Sequence, residues 1–180
     1  MRITGGILLG KQVKIPSGTI RPAMDKMRES VFMILGDLSG RTFLDFFSGS
    51  GIIALEAASR GAMFVEAVES DPLKRLVLLD NVKMSPLRIN CRFMPVELYV
   101  KRAKRRFDII FCDPPFAYKY KKELLKDISA SSLMSEASLL ILHRPREDFF
   151  DNPSPNLFHR DSREFGRSIV DFYEFMIQTN

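Results

Sequence analysis

Cysteine and histidine occur twice each in this chain of 180 residues. Cys91 and Cys112 sit in or beside apolar, strand-like runs, so reduced core thiols are expected rather than a disulfide. His143 and His159 lie far apart with no cysteine cluster near them, which argues against zinc, and no metal is expected. Long hydrophobic runs are missing too. Nothing approaches the roughly 18–20 apolar residues of a membrane-spanning helix. The opening "MRITGGILLGKQ" has one early arginine and an apolar run too short for a signal peptide. A soluble, cytoplasmic protein with no membrane partner is expected. There is no linker, low-complexity tract or internal repeat, and the length suits a single domain, 1–180.

What is present is apolar and basic. Hydrophobic residues make up 46% of the chain, the net charge is +5 and the pI is about 9.3. An excess of cations leans toward a polyanionic partner, nucleic acid above all. The densest basic run, "VKRAKRRFD", holds Lys101, Arg102, Lys104, Arg105 and Arg106. A solvated helix face and a direct nucleic-acid contact both account for it.

Apolar and polar segments alternate as in an α/β protein. Strands are expected at 41–47, 63–70, 89–94, 107–112 and 137–143. Helices are expected at 50–62, at 71–84 with Asp71 as cap and Pro72 in the first turn, and at 120–128. Two final strands turn at Gly166. Strands alternating with helices imply a parallel sheet covered on both faces, and the closing pair implies an antiparallel addition at one edge. Residues 1–40 form a distinct extension before the catalytic core at 41–180. They read as a short hairpin and then a helix that places Met27, Val31, Ile34, Leu35 and Leu38 on one face. Arg21 and Arg28 flank that helix start beside Asp25. Positive charge is unfavourable there unless an anion meets it.

"FLDFFSGSGIIALEA" puts Asp45 at a strand end and Gly49, Ser50 and Gly51 in the turn into a helix, where backbone can approach a ligand closely. The run formally fits a dinucleotide fingerprint, with Glu69 ending the next strand about 20 residues on. Asp45, however, would face a pyrophosphate badly. An acid pair suits a cationic ligand with an amino group and a ribose: Asp45 holds an ammonium or organises the loop, and Glu69 accepts ribose hydroxyls. S-adenosylmethionine has those features and no phosphate.

The fourth strand ends in "DPPF", Asp113 to Phe116. Proline is about 5% of residues, so a Pro-Pro pair arises by chance at roughly 1 in 400 positions. Strand carboxyl ends are where open parallel sheets bind ligands. Asp113 and the Pro114 carbonyl are converging acceptors for an –NH₂ group, and Phe116, beside Pro115, offers a face on which a base can stack.

"DFFSGSG" and "DPPF" are motifs of class I S-adenosylmethionine-dependent amino-methyltransferases. With "MRITGG", "RP...D..RES.F..L", "LDFFSGSG..ALEA.SRGA" and "VES", nearly the whole chain resembles the RsmD family, bacterial methyltransferases of a guanine exocyclic amine in small-subunit ribosomal RNA. The resemblance implies a Rossmann-like fold of seven strands and one S-adenosylmethionine per chain, released as S-adenosylhomocysteine. Its substrate would be RNA presented within an assembled or assembling small subunit. On that pattern the catalytic group is Asp113, Pro114 and Phe116. The cofactor is held by Asp45, Gly49, Ser50, Gly51, Glu69, Val96 and Glu97, and the substrate by Arg21, Asp25, Arg28, Pro115 and Phe116. Three positions depart from the family: Ala23 where Thr is usual, Pro95 near the expected adenine contact, and His143 where Glu is common.

The chemistry these residues suit is direct in-line transfer, with the amine oriented by Asp113 and the Pro114 carbonyl and the base unpaired or flipped. Three alternatives stand beside it. A DNA adenine or cytosine amino-methyltransferase would normally need a target-recognition domain for which 180 residues leave no room. A protein glutamine methyltransferase would use the same acceptor pair. The non-enzymatic alternative is an RNA-binding assembly factor on this fold, against which Asp113 and the intact glycine loop argue.

Overall fold

The computed structural model describes residues 1–15, 22–150 and 153–178; the side chains of residues 22–24 are not described. Among the described residues there are thirteen helices and strands, seven of them strands of one sheet. The strands are β1 (Thr42–Phe46), β2 (Phe64–Glu69), β3 (Ile89–Phe93), β4 (Ile109–Cys112), β5 (Leu139–Pro145), β6 (Leu157–Phe165) and β7 (Ser168–Phe175). Their order is β3-β2-β1-β4-β5-β7-β6. The first five are mutually parallel, while β7 runs antiparallel to both β5 and β6. The order reverses between β1 and β4, which makes that junction the switch point of the sheet.

Alternation along the buried strands sends side chains to two cores. Phe43, Val65, Ala67, Ile109, Phe111 and Ile141 pack on one face with α1 (Pro22–Leu35) and α2 (Ile52–Ser59). Leu44, Phe46, Val68, Ile110, Cys112 and Leu142 pack on the other with α4 (Val96–Arg102) and α5 (Lys121–Ala130). All eight residues of α2 are buried. Such a helix must be covered on its outer side as well, and the N-terminal segment covers it. Leu8 N–H donates to Ser59 Oγ at 2.8 Å and Thr4 N–H to Glu56 Oε1 at 2.7 Å. Gly6, at φ +74°, packs so tightly on Ser59 that a Cβ would stand 1.9 Å from the Ser59 carbonyl oxygen.

Several expectations change in detail. The N-terminal hairpin is pinned by the Arg2–Gln12 bridge and carries a 3-10 turn, Gly6–Leu8, at its tip. The helix expected from residue 71 is α3 (Arg75–Val82), because Asp71 instead closes a tight turn by accepting the Leu73 N–H at 2.9 Å. The fifth strand begins two residues late, after Ala137 takes a turn conformation at φ +64°. Ile34 is 45% exposed while Phe32 is buried, so the apolar stripe of α1 is rotated from its expected face. Both cysteines are free, with Cys112 buried and Cys91 partly so. Of the basic run, Lys101 and Arg102 end α4 and the rest form the loop into β4. The run therefore lies at the opposite end of β4 from Asp113.

Candidate active site

The carboxyl ends of β1, β2, β4 and β5 open onto a cavity of about 1120 Å³. Asp45, Ser48, Gly49, Ser50, Glu69, Val96, Glu97, Asp113, Pro114, Pro115 and Phe116 all line it, so the sheet brings the two sequence motifs together. Met1 and Ile15 of the N-terminal segment and Phe165, Arg167 and Ser168 of the β6–β7 turn complete the rim. Beside the buried Asp45 carboxyl, the wall carries Glu69, Asp71, Glu97, Asp113 and Glu147 against the cations Lys74 and Arg167. Such a surface favours a cationic ligand over a pyrophosphate.

Asp45 is 1% exposed. Its Oδ2 accepts from Ser48 Oγ at 2.8 Å and from Ala54 N–H at 3.2 Å, which ties β1 to the glycine loop and to the first turn of α2. Its Oδ1 is buried without a hydrogen-bond partner among the described residues. Burial pushes the Asp45 carboxyl up to about 8, against the opposing bond from Ser48, and the Asp113 charge adds to the rise. Glu69 spans the loop: Oε2 accepts the Gly49 N–H at 2.7 Å and Oε1 the Asp71 N–H at 2.8 Å. Lys74 Nζ stands 3.9 Å from Glu69. Gly51, expected on the cavity wall, does not line it. It caps α2 at φ +80°, and a Cβ there would meet Leu78 Cδ1 at 2.5 Å, so this glycine serves helix packing.

On the opposite wall Asp113 follows β4, its N–H donating to the Phe46 carbonyl at 3.3 Å. Its Oδ1 is 2.7 Å from His143 Nδ1. The segment after Asp113 is held by Lys121, a buried cation that donates to the Phe116 and Tyr118 carbonyls at 2.9 and 2.6 Å and pairs with Asp148 at 2.8 Å. Tyr118 hydroxyl donates to Glu97 in the first turn of α4. Burial and that bond push the Tyr118 phenol up. These contacts fix the "DPPF" loop from behind.

The N-terminal arginines require a correction. Arg28 is expected among the residues that hold the RNA substrate, yet it is 2% exposed. Its Nε donates to Glu56 Oε1 at 3.0 Å, Nη1 to Asp25 Oδ1 at 3.0 Å and Nη2 to the Arg2 carbonyl at 2.7 Å. The anion that meets the helix start is Glu56, fully buried on α2. Asp25 is exposed and outside the cavity wall. Arg21 lies outside the described residues, and so does the Ala23 side chain. His143, Lys121, Tyr118 and Arg167 were not anticipated as site residues. The acid-Pro-Pro-aromatic run points to the loop that His143, Lys121 and Tyr118 support but not to its supports, and Arg167 reaches the rim from the β6–β7 turn.

A mostly parallel seven-stranded sheet with a reversed final hairpin defines a Rossmann-like class I methyltransferase fold. The chain belongs to the RsmD family: the family model described as conserved hypothetical protein 95 matches residues 1–174. YlbH of Bacillus subtilis, provisionally named an rRNA methyltransferase, is 31% identical over 97% of this chain and 98% of its own. The ribosomal RNA small subunit methyltransferase D of Escherichia coli K12 is 28% identical over 82% of this chain and 76% of its own. Among solved structures, a hypothetical protein of Thermus thermophilus superposes with a TM-score of 0.80 at 30% identity, over 96% and 98% of the two chains. YhhF of Escherichia coli reaches 0.90 at 24% identity over 99% of each, a likeness of fold.

Proposed function

We propose that this protein transfers a methyl group from S-adenosylmethionine to the exocyclic N2 of a guanine in small-subunit ribosomal RNA. Relatives along most of the chain are named as rRNA methyltransferases. The observation that carries the reading is the acid-lined cavity in which Asp45, Glu69 and Asp113 converge from three strands. At about 1120 Å³ it exceeds the roughly 300–1,000 Å³ typical of a single small-molecule site, so a cofactor and a flipped base fit together.

The buried Asp45 Oδ1, without a hydrogen-bond partner among the described residues, suits a hydrogen bond to the cofactor's amino group, and Glu69, at the end of β2, suits ribose hydroxyls. Val96 and Pro95 supply an apolar lip for an adenine, with Glu97 beside them. When bound, S-adenosylmethionine supplies a methyl carbon activated by its sulfonium. Asp113 and the Pro114 carbonyl accept the amine hydrogens and aim the nitrogen lone pair, and Phe116 carries the base. The Asp113 carboxylate stabilises positive charge that develops on nitrogen. Alignment in the cleft supplies the rest. The substrate in this reading is RNA within an assembled or assembling small subunit.

The test is incubation with methyl-labelled S-adenosylmethionine and, in parallel, under-methylated small subunits, free ribosomal RNA and duplex DNA. Label is expected in the small subunits. Label in DNA alone would overturn the reading.

A further inference from the structure

We propose that His143 is a positioning residue for Asp113, holding its carboxylate so that one oxygen faces the incoming amine. The inference rests on the methyl-transfer reading above. Leu142 of β5 is in register with Cys112 of β4, so His143, still on β5, stands beside Asp113, the first residue past the end of β4. His143 is 3% exposed, and its Nδ1 lies 2.7 Å from Asp113 Oδ1. The imidazole meets the Phe116 ring edge-on, with centroids 5.5 Å apart at 66°. Behind it, His143 pairs with Val170 of β7. The adjacent Arg144 is turned away and bound to Asp171 and the Asp148 carbonyl, so it does not compete for Asp113.

A carboxylate can only accept here, so His143 Nδ1 carries the proton and donates. Its Nε2 is buried with no hydrogen-bond partner among the described residues. The ring therefore fixes Asp113 Oδ1. Asp113 Oδ2 is left for the amine, and rotation of the carboxyl group is blocked. The same ring buttresses Phe116, so the amine acceptor and the base platform are set by one side chain.

The test compares His143→Asn, whose amide nitrogen sits near the Nδ1 position, with His143→Gln, whose amide reaches to the Nε2 position, and His143→Leu, which has no donor. Turnover and KM on under-methylated small subunits are measured, with S-adenosylmethionine affinity by calorimetry and thermal midpoints. His143→Leu and His143→Gln are expected to lose about 10- to 100-fold in kcat, as a displaced catalytic group does, with cofactor affinity within about threefold of wild type. His143→Asn should recover most of the lost kcat. If His143→Leu does not fold, the Asn and Gln pair carries the comparison. Equal kcat in Asn and Gln, or losses that follow the thermal midpoints alone, would reduce His143 to packing and overturn the proposal. A wild-type protein that methylates no small subunit would instead overturn the methyl-transfer reading itself.

Discussion

Replacing Arg28 by Met should destabilise the protein before it touches any substrate. The side-chain stem is kept and the guanidinium lost. Arg28 is 2% exposed and Glu56 is fully buried, so the substitution strands a carboxylate in the core between α1 and α2. Breaking a buried ion pair from one side costs about 3–5 kcal/mol. Glu56 Oε1 would keep the Thr4 N–H and Oγ1 at 2.7 and 2.9 Å, and Arg60 stands 3.4 Å from the other oxygen, which places the cost near the lower end. In a domain of this size about 2–4 °C of melting temperature is lost per kcal/mol, so about 6–12 °C is expected. Thermal and urea unfolding at neutral pH measure it. The double variant Arg28→Met with Glu56→Gln should lose clearly less than the sum of the two single losses. If Arg28→Met melted within a degree of wild type and lost only RNA methylation, the buried-pair account would be refuted and the exposed-cation expectation restored.

Three further outcomes follow from the cavity. Asp45 is raised to about 8 from an ordinary value of 3.8, so between about pH 4 and 8 the folded chain holds a proton that the unfolded chain has released. Its contribution to stability is complete below about pH 4 and is lost as pH rises through about 8; pH-dependent urea unfolding should show that slope, and Asp45→Asn should flatten it. Glu69→Ala should weaken S-adenosylmethionine binding about 10- to 150-fold, the equivalent of about 1.5–3 kcal/mol in charged hydrogen bonds, with unchanged calorimetric affinity counting against the ribose role. Asp113→Ala should abolish methyl transfer while leaving most of the cofactor affinity, and near-normal turnover would remove Asp113 as amine acceptor.

The parallel strands were legible because a strand buried on both faces reads as a continuous apolar run. "RTFLDFF" and "FDIIFC" can be little else. Asp45, Glu69 and Asp113 were legible for a related reason: each ends such a strand, and the carboxyl ends of a parallel sheet share one edge. Element boundaries were less so, because local turn chemistry decides them. Asp71 closes a turn with Leu73 rather than capping α3. The fate of Arg28 was hidden by sequence distance, since Glu56 lies 28 residues away. A hint existed in α2, where an acid sits in the otherwise apolar and small run "IIALEAAS" and a buried cation must answer it. His143 was visible as a departure from the family pattern, but only the pairing of β4 with β5 sets it against Asp113.

The proposed product is a methyl group on guanine N2 of small-subunit ribosomal RNA. The direct measurement is nucleoside digestion and mass spectrometry of under-methylated small subunits after reaction with isotopically labelled S-adenosylmethionine, with Asp113→Ala as control. Label is expected in N2-methylguanosine from a single site, absent with the variant. Label in another nucleoside, in a protein glutamine, or in equal amount with Asp113→Ala would contradict it.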